Sequence, residues 1–251
     1  MKQISDIYYT SDKSEYQMLD LYLPDIKSFP VLIFFHGGGM KVGRGSRKGN
    51  KFYAYLSQKG VGVISADYRC YPDAAYPDYI EDAAAAVAWA YNNMKNYGNP
   101  TGFFIGGSSA GAYLSEMLCF DRKYLNFHGI DPDSINGYIH DAGQPTTHFS
   151  ILEERGIDKR RVIIDEAAPL YHICDGRNYP PMQIFISDND MPSRLEQTQL
   201  MISTLKNFEY DTEKIDFRLM ENHTHTSYVN EQDKDGNFIF ADMMYEFILV
   251  H

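Results

Sequence analysis

Cysteine is scarce in this sequence, with three in 251 residues. Cys70, Cys119 and Cys174 are odd in number and widely scattered, which excludes a disulfide framework and fits no zinc spacing. They read as small buried thiols. No stretch approaches the roughly eighteen consecutive apolar residues that a membrane span needs. The opening Met1-Lys2-Gln3-Ile4-Ser5-Asp6 has no apolar signal-peptide core, so the expected location is cytoplasmic. Positive charge is also short: 23 Lys and Arg stand against 34 Asp and Glu, a formal net charge of −11. That balance argues against nucleic acid and anionic membranes as partners and makes a polyanionic substrate less expected.

Hydrophobic content of 44% and charged content of 23% are ordinary for a folded soluble domain. A chain of this length can bury roughly 70–75% of its unfolded surface, and residues 1–251 read as one domain without repeats or low-complexity tracts. Twenty tyrosines and fifteen phenylalanines are many for the length. Most are expected in the core, with some free to stack on rings in a pocket.

Apolar runs over Ile4–Tyr9, Gln17–Leu23, Pro30–Phe35, Gly62–Ala66, Gly102–Ile105, Ile135–His140, Met182–Ser187 and Ile215–Leu219 predict strands. Helical spacing predicts helices at Phe52–Lys59, Tyr79–Lys95, Ala110–Asp121, Ser193–Asn207 (capped by Ser193) and Phe238–Val250. Strands alternating with helices imply an α/β fold, a mostly parallel eight-stranded sheet covered on both faces. Residues 40–51, rich in glycine and cations, read as an exposed loop. The irregular, charge-clustered stretch 143–173 reads as a small cap insertion.

Chemistry concentrates where predicted strands end. Gly107-Ser108-Ser109-Ala110-Gly111 follows an apolar strand and opens a helix, the strand–turn–helix setting of a G-x-S-x-G nucleophile elbow. The glycines two residues either side of Ser109 leave room for the sharp turn that presents its hydroxyl. Upstream, His36-Gly37-Gly38-Gly39 ends another strand. Successive glycines let backbone N–H groups converge, so Gly38, Gly39 and Ala110 are the expected oxyanion donors. His36 precedes the serine and is expected to brace that loop.

The acid should follow Met182–Ser187, where Asp188 and Asp190 are both on offer. Asp190, three residues beyond the expected strand end, has room to turn back toward a base. The base should follow the last strand. Of His223 and His225, loop length favours His225, leaving His223 as a turn or substrate-side residue. No third residue joins them with metal-ligand spacing, so neither a metal nor a cofactor is expected.

With H-G-G-G, Asp67-Tyr68-Arg69, G-x-S-x-G, a late Asp and a later His in this order, residues 17–250 resemble the hormone-sensitive-lipase-like esterases and small carbohydrate acetyl-esterases. The resemblance implies the α/β-hydrolase fold. It also implies structural roles for Tyr68, Arg69 and Asp82, which would hold the helix before the elbow against the oxyanion loop. About thirty residues precede the H-G-G-G strand in this sequence, so the two-helix N-terminal cap of the lipase-like members is not expected here. Met40 stands where an aromatic is common. Both departures favour a short acyl group on a larger alcohol over long-chain lipid.

The reading is a serine carboxylesterase acting through Ser109, Asp190 and His225 on a small-molecule ester, most concretely an acetylated sugar. Amide hydrolysis of the arylformamidase type is the alternative, since the same motifs serve it, and a non-catalytic binding module on this fold is the reading from a different class. A homodimer would be expected if one helix face proved large and apolar.

Overall fold

A computed structural model describes all residues, 1–251. The eight strands form one sheet: β1 (Lys2–Tyr8), β2 (Met18–Leu23), β3 (Ser28–Phe35), β4 (Gly62–Ala66), β5 (Asn99–Ser108), β6 (Gly137–Asp141), β7 (Met182–Asn189) and β8 (Ile215–Thr224). Their order across the sheet is β1-β2-β4-β3-β5-β6-β7-β8. β1 and β2 join antiparallel, and every pairing from β4 to β8 is parallel. β5, which leads into the serine turn, lies centrally between β3 and β6.

The central strands are buried on both faces because helices cover both. Alternation along β3 sends Ile33 and Phe35 into one core and Leu32 and Phe34 into the other. The first core is closed by α2 (Asp78–Asn93), α3 (Ala110–Phe120), α4 (Arg122–Phe127) and α6 (Arg194–Asn207). The second is closed by α1 (Phe52–Gln58) and α7 (Ile239–Val250), with Phe52, Tyr53, Leu56, Phe240 and Met244 fully buried. The tyrosines mostly go inward. Tyr53, Tyr68, Tyr79, Tyr113, Tyr138, Tyr179 and Tyr228 are all essentially inaccessible.

Two expectations are corrected. Ser193 does not cap α6 with its side chain, since it sits at φ 63° and makes no capping bond. A left-handed backbone is not the extended conformation from which a capping hydroxyl reaches the first turn. Cys70 and Cys119 are buried, but Cys174 is exposed. Asp20, inside the apolar run of β2, is fully buried and paired with Arg47.

Residues 143–173 connect β6 to β7 and contain α5 (Phe149–Glu154). They lie against the end of the sheet where β3 and β5 finish. Ser150 donates to the Gly39 carbonyl at 2.6 Å, Tyr113 donates to the Ala167 carbonyl at 2.7 Å, and Lys41 pairs with Glu153. No helix is long and apolar enough to cross a membrane.

Candidate active site

The turn between β5 and α3 places Ser109 at φ 55°, ψ −114°, a backbone region that non-glycine residues rarely adopt. Its neighbours explain how such a turn fits. A Cβ on Gly107 would lie 2.3 Å from the Gly111 backbone, and one on Gly111 would lie 2.1 Å from the Phe35 carbonyl oxygen. Glycine at both positions is therefore a packing requirement of the turn.

The turn delivers the Ser109 hydroxyl to the imidazole of His225, with Oγ to Nε2 at 2.8 Å. His225 Nδ1 lies 2.7 Å from Asp190 Oδ1. Because a carboxylate can only accept, Nδ1 donates to Asp190 and Nε2 is left to accept from Ser109. Asp190 also accepts from Ser187 Oγ and from the Met191 N–H, each at 2.7 Å. Burial works against its charge, but the bonds from His225, Ser187 and Met191 prevail and hold the carboxyl below its usual range. β7 runs on to Asn189, so Asp190 lies directly past the strand end instead of three residues beyond it.

The competing candidates are occupied elsewhere. Asp188 is exposed and accepts the Asn222 N–H at 3.0 Å. His223 pairs with Glu231 at 2.6 Å, and that hydrogen bond raises its pKa.

Gly38 and Gly39 both have positive φ, 120° and 60°, and their N–H groups find no acceptor in the protein. The N–H of Ala110, first residue of α3, has no partner within the helix. Gly37, Gly38, Ser109 and His225 line one cleft of about 240 Å³, in which Val229 is the single hydrophobic lining residue.

His36 braces the glycine loop without reaching the serine. Its Nδ1 donates to the Gly37 carbonyl at 2.6 Å, and its ring stacks on Tyr68 with centroids 4.5 Å apart. Burial lowers its pKa, so the imidazole is held neutral. The Tyr68 hydroxyl donates to the His36 carbonyl at 2.8 Å, while Arg69 grips Asp82 of α2 through Nε and Nη2. These three residues tie α2 to the loop.

Two features escaped the sequence reading. Arg47, read as an exposed loop cation, is 3% exposed. Its guanidinium reaches Asp20, Asp67 and Asp6, and Asp67 also accepts from the N–H groups of Gly45 and Arg47. The loop beyond the glycines is thereby pinned to the sheet. Asp141, at the end of β6, is the second. Its side chain accepts from Ser108 Oγ and from the Tyr228 hydroxyl, and its carbonyl accepts the Ser109 N–H at 2.7 Å. Burial pushes its carboxyl up to about 6 despite those bonds. An acid closing an otherwise buried strand was the available signal for it.

Comparison with known proteins agrees with this architecture. The BD-FAE family model matches residues 19–136, just under half the chain. Esterase LipC of Mycobacterium tuberculosis is 26% identical over 213 residues, covering 76% of this chain and 52% of LipC. The chain spans about half or less of the length of the curated relatives it matches. Among solved structures, a truncated carbohydrate esterase from gut microbiota superposes with a TM-score of 0.81 at 18% identity, covering 100% of this chain and 96% of that one. The propionate-bound esterase Est2 of Thermogutta terrifontis gives 0.75 at 21% identity, covering 98% and 93%. The chain has the α/β-hydrolase fold.

Proposed function

We propose that this α/β-hydrolase is a serine carboxylesterase that removes short acyl groups, acetyl above all, from a carbohydrate or similarly polar alcohol. The observation that carries the reading is the continuous Ser109–His225–Asp190 hydrogen-bonded chain, beside a loop whose Gly38 and Gly39 N–H groups are unspent. In this mechanism His225 takes the Ser109 proton as Oγ attacks the ester carbonyl. Asp190 keeps Nδ1 protonated, so that Nε2 faces the serine as a base. Negative charge developing on the carbonyl oxygen is met by the N–H groups of Gly38, Gly39 and Ala110. The Ser109–alkoxy tetrahedral adduct then collapses: the ester C–O bond breaks, His225 returns the proton to the departing alcohol, and an acyl-serine remains. Water attacks that acyl group by the same route and frees the acid.

The cleft supports the short-acyl preference. A long acyl chain gains its binding energy from apolar surface, and a cleft with Val229 as its single hydrophobic lining residue offers little. The names of the similar proteins, esterase LipC and a carbohydrate esterase, agree with this reading. We read residues 143–173 as a small cap over the site and residues 1–251 as one domain.

The test is hydrolysis of 4-nitrophenyl acetate, butyrate, octanoate and decanoate by the wild type and by Ser109→Ala. Acetate preferred by the wild type, with the variant at background, is the expected result. Preference for decanoate would contradict the short-acyl assignment, and turnover surviving in Ser109→Ala would contradict the nucleophile.

A further inference from the structure

A second cavity, of about 260 Å³, reaches the acid of the triad: Met191, one of its lining residues, directly follows Asp190. The Met191 N–H is one of the donors that hold Asp190. Phe149 lines this cavity, and its ring also packs against the glycine loop, 3.4 Å from where a Gly39 Cβ would be. What distinguishes this cavity is its charge. Lys159, Arg160, Arg161 and Arg194 line it, and no carboxylate does. In a chain of net charge −11 that segregation is specific to the place.

Arg194 is the fixed part. It is 2% exposed and makes no salt bridge; its guanidinium donates to the carbonyls of Ala142 and Gly143 and to the Gln144 amide oxygen, and Nε has no acceptor. A buried cation without a counter-charge is costly. The acids nearest in charge give it little. Asp190 is engaged by His225, and Glu116 is pushed up to about 8 by burial, leaving it neutral at neutral pH. Of the rim cations, Arg160 is paired with Asp158 on its own loop, while Lys159 and Arg161 extend from the cap segment beside it.

We propose that this cavity binds an anionic oxygen group, carboxylate or phosphate, carried on the alcohol part of the ester. The substrate class becomes an acylated sugar acid or acylated sugar phosphate instead of a neutral sugar. The inference rests on the esterase reading above for its place in catalysis, but the binding site stands on the cavity alone. An anion there supplies the counter-charge that Arg194 lacks, and charge-assisted bonds from Lys159 and Arg161 close over it.

The test separates binding from turnover. The wild-type protein is titrated calorimetrically with 4-hydroxybenzoate, 4-hydroxyphenyl phosphate and the neutral methyl 4-hydroxybenzoate. At least one anion is expected to bind about tenfold or more tighter than the neutral analogue, and the two anions against each other tell carboxylate from phosphate. The advantage should shrink in about 0.5 M NaCl, where rim charges are screened. It should also shrink in the Lys159→Gln/Arg160→Gln/Arg161→Gln variant, which alters exposed side chains alone and avoids the risk that Arg194→Gln does not fold. Equal binding of charged and neutral analogues overturns the inference, as does an advantage that the triple variant retains. Hydrolysis of 4-nitrophenyl acetate in the same preparations reports separately on the esterase reading.

Discussion

Asp141 and Tyr228 stand 87 residues apart in the chain, and the Tyr228 phenol donates to the Asp141 carboxylate. Ser108 donates to the other oxygen of the same group. One buried carboxylate thus joins the serine turn to the loop that carries His225. Tyr228→Phe removes one strut and keeps the ring packed among Phe240 and its neighbours. It should lower kcat on 4-nitrophenyl acetate roughly tenfold to hundredfold with KM little changed, because misplacement affects the reacting geometry more than binding. Steady-state kinetics on the folded variant check this; an unchanged kcat would show that the strut does not position the histidine.

Asp190→Asn should fold normally and lose about 10⁴ in kcat. The amide can offer its N–H₂ to His225, which favours the tautomer with the proton on Nε2 and leaves no base toward Ser109. Neutron or NMR assignment of the imidazole protons, alongside kinetics, tests both halves.

Arg47→Met should destabilise by about 3–5 kcal/mol in urea unfolding, because Asp20 and Asp67 are left charged and buried without their partner. Since the same loop follows Gly38 and Gly39, whatever remains folded should also show a reduced kcat.

The contrast between these residues explains what could be read from the sequence. All eight strands were legible, the central parallel ones as continuous apolar runs and the antiparallel β1 and β2 as short runs separated by a polar turn, and the serine turn was legible from glycine at fixed offsets. Loop reach favours Asp190 over Asp188 and His225 over His223, and the favoured pair lies within hydrogen-bond distance in the fold. Arg47 was not, because a cation in a glycine-rich loop looks solvated until its partners, 27 and 20 residues away, are brought up by β2 and the end of β4. Asp141 and Tyr228 were hidden for the same reason. α4 and α5 have six residues each, too few for helical periodicity to register, and they are held by packing against the core.

Glu116→Gln should stabilise the protein increasingly as pH rises. Burial lifts the Glu116 carboxyl to about 8, above its ordinary 4.5, so its contribution is fully present below about pH 4.5 and is lost as pH rises through 8. The neutral amide removes that loss. Urea unfolding of both proteins at several pH values should show the variant gaining up to about 5 kcal/mol relative to the wild type. A difference that does not change with pH would mean Glu116 is ionised in the fold.

The central claim, that Ser109 is a nucleophile activated by His225, is tested most directly by reaction with diethyl 4-nitrophenyl phosphate followed by peptide mass spectrometry. The account predicts release of one equivalent of 4-nitrophenol, a diethylphosphoryl group on Ser109, and loss of labelling in His225→Ala. Labelling on another residue, or ester turnover that persists while Ser109 stays unmodified, would contradict it.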